Sequence, residues 1–227
     1  MTETQKIQWK RLSIEAAAIV ASILFAFAID AWWDRRQEFE IETAYRQDLL
    51  VEMREARAEL AGDDERRRAT LSAIDSLQKE SATRSVPDST LMEWILLATR
   101  NPAFFPPDAV FQDLLLSGNL HVIRSNELRY ALSNYSQEHP RLRFVEGNGR
   151  RFVANNVMPY IFDHISLTSP EPGDLNALLT NQYFGNMLTK MHDNISSALR
   201  WSDRIGTAID KIIDLLEHDP RTLSGDD

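Results

Sequence analysis

Five histidines are the residues of this chain best suited to chemistry, since an imidazole can act as a general base or bind a metal near neutral pH. None belongs to an H-E-x-x-H motif or to the Glu-x-x-His step of di-iron bundles. Most have an acidic neighbour at the adjacent position, but adjacent side chains on a helix point about 100° apart and do not chelate one ion. We therefore predict no local metal site, and a site assembled from distant segments stays open as the alternative. The histidines are His121, His139, His164, His192 and His218.

Covalent catalysis has no recognisable motif either. The chain has no cysteine, which excludes disulfides, thiolate zinc sites and cysteine nucleophiles. Serine, histidine and aspartate are all present, but no serine stands in a nucleophile-elbow context. Gly147-Asn148-Gly149 is too short for a phosphate loop and indicates a turn or a helix break. We predict no catalytic residue, no metal ligand and no cofactor, and we favour a protein without enzymatic activity.

The overall charge of the chain is acidic. Its 227 residues include 34 Asp and Glu against 25 Lys and Arg, a formal net charge of -9 that disfavours a nucleic-acid partner. One locally basic stretch interleaves arginines with phenylalanines, a pattern that can bind anions, although Glu138 and Glu146 dilute its charge. We expect an ordinary helix surface there, with anion binding as the alternative. Its basic residues are Arg141, Arg143, Arg150 and Arg151.

An uncharged apolar run from Ala16 to Ile29 predicts a membrane anchor. With its flanks, the segment from Leu12 to Trp33 would form a helix about 33 Å long, enough to cross roughly 30 Å of hydrocarbon. Tryptophans and charged residues stand at both ends, as in the aromatic belts of membrane proteins. The predicted partner is therefore the lipid bilayer. The predicted interface residues are Trp9, Lys10, Arg11, Glu15, Asp30, Trp32 and Trp33.

A cleaved signal peptide is the main alternative to the anchor. Lys6, Lys10 and Arg11 resemble a basic leader, and Ala26-Phe27-Ala28 resembles a cleavage site. The acidic Glu15 at the start of the run and the long polar helix after it favour the anchor. The positive-inside rule then favours a cytoplasmic amino terminus, with the body on the other side of the membrane.

Small residues recur every fourth position along the predicted span, at Ala18, Ser22 and Ala26, and Asp30 follows one turn later. Such a stripe lets two helix backbones approach closely, so it is a candidate contact with a second copy or with another membrane protein. The alternative is that alanine is common in apolar helices and that Asp30 reaches towards the head groups.

The rest of the chain has helical periodicity, so the predicted fold is all-α: a transmembrane helix that continues into a long helix, packed into a helical bundle. The predicted divisions are a basic tail 1–11, a span 12–33, a helical body 34–218 and a disordered acidic tail 219–227. The seam at which the long helix should pack against the bundle consists of Leu49, Met53, Ala56 and Leu60.

Local signals predict where the helices of the body begin and end. Gly62 followed by Asp63-Asp64 reads as a helix stop and a new N-cap, with the second helix running to about Ala82. Glu42 and Arg46 are expected to form a surface pair, and Arg66-Arg67-Arg68 a solvated face.

Further along the chain, Asp108 and Ser125 are predicted N-caps, and Gly118 should adopt positive φ at a corner between two helices. The helical pattern resumes after Pro140. Asp174 or Asn181 caps the helix that runs on to about His218, whose apolar face includes a methionine stripe expected in the core.

The amino-terminal pattern resembles an uncharacterised bacterial family of single-span membrane proteins. The similar residues there are Arg11, Leu12, Glu15, Asp30, Trp33 and Asp34, and downstream Ser117-Gly118-x-Leu120-x-x-Ile123 and Leu128-Arg129-x-x-Leu132-x-x-Tyr135. Many relatives have paired asparagines where this chain has Ala31-Trp32. The resemblance covers roughly the first 60 residues and the region 110–136. It implies a helical architecture and a single-span topology, which in a bacterium would place the protein in the inner membrane with its body in the periplasm, and it implies no activity.

Two classes of function follow. The first is a membrane-anchored helical module that acts by interaction, as a scaffold, an accessory subunit or a sensor-like domain, with a homo-oligomer or a membrane protein as partner. The alternative is a ligand-binding or enzymatic domain with a pocket between helices. A cleft in which several histidines converge with carboxylates would favour the alternative.

Overall fold

The computed structural model describes residues 9–167 and 173–218, with the side chains of residues 9–12 and 14 outside the description. Within these ranges the chain is helical and contains no β-strand, so the predicted all-α class is confirmed. A 3-10 turn follows α3 at Asn119–His121, and a π-helical segment, Val153–Val157, joins α4 to α5. Helices α1 to α7 span Trp9–Thr83, Asp88–Ala98, Ala109–Leu116, Asn126–Phe152, Met158–His164, Leu175–Thr180 and Gln182–Glu217.

Helix α1 is one continuous element of 75 residues, so the predicted stop at Gly62 is wrong. The two aspartates after Gly62 cap nothing: Asp63 and Asp64 pair with Arg66 and Arg67 one turn later, at 2.5 and 2.7 Å. A glycine costs about 1 kcal/mol in a helix interior. Packing of α1 against the body on both sides of this glycine outweighs that cost. The end of the helix at Thr83 agrees with the sequence.

The body is built around three long helices, α1, α4 and α7. Helix α7 runs antiparallel to α1, because Arg54 pairs with Glu217 at 2.7 Å while Gln78 bonds Thr189 far along both helices. Helix α4 runs parallel to α1, since the residues at its start lie by Glu42 and its Glu146 bonds Arg67 of α1. Helix α7 therefore packs antiparallel between the two.

Two apolar clusters fill the body. The one nearer the start of α1 contains the predicted seam residues Leu49, Met53, Ala56 and Leu60, all buried, together with parts of α3, α4 and α7. The other joins α1 to α2, α5, α6 and the start of α7, and it buries Met187 and Met191. Both the predicted seam and the core position of the methionines are confirmed.

Helix α4 passes without a break through Pro140 and through Gly147 to Gly149, so both predicted interruptions are wrong. Gly149 is explained by packing, because a Cβ there would lie 2.5 Å from Nδ2 of Asn101 in the connection before α3. The π-helical segment Val153–Val157 lies just before Pro159 in the chain. Because the ring nitrogen of Pro159 cannot donate a hydrogen bond to the carbonyl one turn earlier, the regular α-helical pattern is interrupted there.

The predicted corner between α3 and α4 is confirmed. Gly118 has φ 74°, in the left-handed region, and Ser125 caps α4 by accepting the amide of Leu128 at 3.2 Å. Asp174 and Asn181 cap α6 and α7 respectively. Residues 1–8 of the predicted tail 1–11 and the whole predicted tail 219–227 lie outside the described residues.

Candidate functional site

The amino-terminal part of α1 exposes its apolar side chains on every face. Ile19, Phe25 and Trp33 are 62%, 73% and 62% exposed, and none of the apolar window packs on the body. A helix that packs on a soluble domain normally buries one stripe of such residues. Within the described residues α1 is the one helix that is long and apolar enough to cross a membrane.

The end of the apolar segment is bounded by an aromatic and charged group. Trp32 and Trp33 lie with ring centroids 6.4 Å apart, and the guanidinium of Arg36 lies 5.9 Å from the centroid of the Trp32 ring. Arg35 donates to the carbonyl of Ala31 at 2.9 Å. These side chains surround the end of the apolar run, and their place at a membrane interface remains a prediction. The side chains of Trp9, Lys10 and Arg11 are outside the described residues.

The small-residue stripe is solvent-exposed along its whole length. Ser22 donates its hydroxyl to the carbonyl of Ala18 at 2.8 Å, so this polar group is bonded within its own helix. Ala18, Ser22 and Ala26 touch no part of the body. Their role as a helix contact remains a prediction.

The first contact of α1 with the body is polar and buried. Glu42 and Arg46 pair at 3.1 Å with side chains almost inaccessible to solvent, so the predicted surface pair is a core pair. Glu42 also accepts the backbone amide of Arg124 at 2.9 Å, in the connection before α4. The pair is buried because this connection folds over it.

A second buried glutamate fixes the start of α3. Glu52 of α1 accepts the amides of Val110 and Phe111 at 2.7 and 2.9 Å, whereas the predicted cap, Asp108, makes no side-chain capping bond. Burial raises the pKa of Glu52, against the lowering effect of the two amide bonds. A side chain of α1 therefore replaces the local cap of α3.

A third glutamate lies on α4, between α1 and the connection before α3. Glu146 bonds Arg67 and the backbone amide of Phe104, and Arg67 also donates to Asp64 at 2.7 Å. Arg67 is fully buried, so the expectation of a solvated face is wrong at the middle arginine of the three. Burial raises the pKa of Glu146, and the neighbouring guanidinium opposes that shift.

The fourth of these glutamates bonds the segment that follows the carboxyl-terminal end of α1. Glu80 accepts both the amide and the hydroxyl of Ser85, at 2.5 and 2.8 Å, and these bonds lower the pKa of its carboxyl. These four glutamates share one role: Glu42, Glu80 and Glu146 hold the backbone of a connecting segment against a long helix, and Glu52 holds the first turn of α3 in the same way.

An aromatic and polar cluster lies beside Glu52. Tyr135 is fully buried and stacks on His139 at a centroid distance of 5.8 Å, and neither Tyr135 Oη nor His139 Nε2 has a hydrogen-bond partner among the described residues. Burial raises the pKa of Tyr135 and lowers that of His139, and the charge of Arg143 lowers the latter further. Tyr135, which also contacts the Phe111 ring at a centroid distance of 5.1 Å, is therefore part of the core.

The five histidines do not converge. His121, His164 and His218 are exposed and each bonds a backbone carbonyl of its own turn, while His192 lies 3.5 Å from Asp75. No group of three or more His, Asp or Glu side chains in the described ranges could hold a metal ion.

A surface groove of about 600 Å³ lies between α4 and α7. Its floor is made by two nearly buried alanines, Ala131 and Ala208, and Tyr130 stands exposed on one wall. The remaining lining residues are polar or charged: Asn126, Glu127, Asn134, Arg204, Thr207 and Lys211.

The basic stretch lies on α4, and its four arginines have different surroundings. Arg141 pairs with Glu138 at 3.3 Å and stacks over Trp201, while Arg150 stacks over Phe105 at 5.7 Å. Arg143 and Arg151 are exposed on the outer face. The four arginines therefore do not form one pocket.

No family model, no curated protein and no solved structure matches the chain. The resemblance to a family of single-span proteins remains a prediction.

The sequence predicted neither the burial of the four glutamates nor the groove between α4 and α7. A glutamate four residues before an arginine has the same pattern on a solvated surface and in a core, so Glu42 and Arg46 carry no local signal of burial. The groove depends on small residues that face each other from α4 and α7, and their register appears only when the two helices are packed.

Proposed function

We propose that this chain is a single-span, membrane-anchored helical protein whose body serves as an interaction, scaffold or accessory module. The observation that carries the proposal is the apolar, fully exposed amino-terminal part of α1, continuous with a helix that forms the spine of the body. An apolar helix of this length is stable in water only when covered, and a bilayer covers all its faces at once.

The proposed orientation places the amino terminus in the cytoplasm and the body in the periplasm of a bacterial inner membrane. Support comes from the three basic residues that precede the span, Lys6, Lys10 and Arg11, against the two that directly follow it, Arg35 and Arg36. The absence of cysteine is compatible with that compartment.

An interaction module is proposed rather than an enzyme because the buried glutamates of the body are engaged in holding the backbone of neighbouring segments. Glu42, Glu52, Glu80 and Glu146 bond backbone amides instead of lining a cavity. A partner would be recognised by exposed side chains such as Leu116 and Phe144, which are 83% and 67% exposed.

Photo-crosslinking in living cells tests this function. A benzoylphenylalanine at position 116 or 144 should capture the same protein, or a second copy of the chain, in repeated experiments. The same probe at the buried Leu132 is the matched control and should capture nothing. Recovery of background proteins alone at both exposed positions would contradict the interaction proposal.

A further inference from the structure

The groove between α4 and α7 has the dimensions of a small-molecule site. Its volume is about 600 Å³, and its lining residues on α4 extend from Asn126 to Asn134, a length of about 12 Å along a helix. Two helical turns are too short for a docked helix or strand of a partner. The size therefore favours a compact molecule over a protein segment.

Its lining combines an apolar floor with a cation at one end. Ala131 and Ala208 leave space because neither has a side chain beyond Cβ, and the Tyr130 ring offers an aromatic face at the wall. Because α4 and α7 are antiparallel, Asn134 and Arg204 share one end of the groove, whereas Glu127 and Lys211 lie towards the other.

The guanidinium of Arg204 is available to bind an anion. Its guanidinium lies 4.6 Å from the centroid of the Trp201 ring, a contact that restricts the side chain. No carboxylate of the described residues lies within 4.0 Å of its nitrogens, in contrast to Arg54 and Arg57, which pair with acids of α7 at 2.7 Å each. A guanidinium beside a groove and without an acidic partner is complementary to a ligand carboxylate.

We propose that this groove binds a small organic acid with an apolar or aromatic body. The carboxylate would bond Arg204, and the body would lie over Ala131 and Ala208 against the Tyr130 ring. The inference is independent of the proposed membrane anchoring, because it rests on side chains of the body alone.

The test uses the full chain in phosphatidylcholine nanodiscs and the probe 3-(4-fluorophenyl)propionate, observed by fluorine NMR. We expect saturable broadening with a Kd on the order of 1 mM, as suits so small a ligand in an open groove. The uncharged 3-(4-fluorophenyl)propanol should bind about tenfold more weakly, because it lacks the charge-assisted bond to Arg204.

Four variants locate the site. Arg204→Gln should weaken binding of the acid about tenfold, and Thr207→Trp, at an exposed wall position, should abolish binding by filling the groove. Lys211→Gln, at the opposite end of the groove and next to Asp214 at 3.8 Å, should leave binding of the acid unchanged. Arg200→Gln is the matched control, since Arg200 is an exposed arginine of α7 that bonds Ser197, and binding should be unchanged.

Three results would overturn the proposal. The first is broadening that never saturates, or that is equal in the wild type and in Thr207→Trp when circular dichroism shows both folded. The second is binding of the acid that Arg204→Gln leaves unaltered. The third is a change of oligomeric state in Thr207→Trp without any probe binding by the wild type, which would assign the groove to a second copy.

Discussion

At the scale of single residues, Arg67 is the side chain on which the centre of the body most depends. Its guanidinium is fully buried and bonds Asp64 and Glu146. Replacing Arg67 by Met would leave Glu146 buried without its cation, and removal of one partner of such a pair costs about 3–5 kcal/mol. We expect urea unfolding in detergent micelles to show that loss. The neighbouring Arg68, which is exposed, is the control: Arg68→Met should change the free energy of unfolding by less than about 0.5 kcal/mol.

His139 gives the body a pH dependence. Burial and the charge of Arg143 lower its folded-state pKa below the unfolded value of 6.5. The unfolded chain therefore binds a proton first as the pH falls, so the stability contributed by neutral His139 is complete above about pH 6.5 and is lost below it. His139→Phe keeps a ring against Tyr135 and should reduce the fall in unfolding midpoint between pH 7.5 and 5.5. His121→Gln, at an exposed position, should retain the full fall, and equal slopes in all three proteins would contradict this account.

The burial of individual residues is predictable where it follows from periodicity. Leu49, Met53 and Ala56 repeat at helical spacing and lie in the core as expected. The burial of Glu42 and Arg67 is not predictable in this way, because it depends on connections and on α4, which pack over them only in the folded body.

At the scale of elements, two glycines in long helices should respond oppositely to alanine. At Gly62 the nearest atom to a new Cβ is the flexible end of Arg66 at 3.6 Å, so Gly62→Ala should stabilise the chain by about 0.5–1 kcal/mol. At Gly149 a Cβ would lie 2.5 Å from Asn101, so Gly149→Ala should destabilise it by about 1–3 kcal/mol. Thermal unfolding monitored by circular dichroism measures both, and a midpoint that moves in the same direction for the two variants would contradict the packing described.

Helix ends were predictable where the signal is local, and helix continuity was not. Ser125 and Asn181 cap their helices with their own side chains, as a sequence pattern implies. Gly62 and Pro140 are breakers in isolated helices, but packing on both sides of each position carries the helix through. The start of α3 is fixed by Glu52, a residue more than fifty positions away, so no local pattern could reveal that cap.

At the scale of the whole molecule, α1 connects an exposed apolar segment rigidly to the body. The same helix runs from Trp9 to Thr83 and contributes to both apolar clusters, so no flexible linker separates the two parts. From Trp33 to the first buried pair at Glu42 the helix advances about 14 Å. If the apolar segment lies in a bilayer, this part of α1 separates the body from the membrane surface.

The central claim is that residues 12–33 cross a membrane, and the absence of native cysteine makes it directly measurable. Single cysteines at Phe25, in the middle of the run, and at Leu96, exposed on the body, are treated with a membrane-impermeant maleimide in spheroplasts. We predict that Leu96→Cys is labelled at once and that Phe25→Cys stays unlabelled until detergent is added. Rapid labelling of both cysteines without detergent would contradict a membrane-spanning segment, and labelling of neither would contradict the periplasmic orientation.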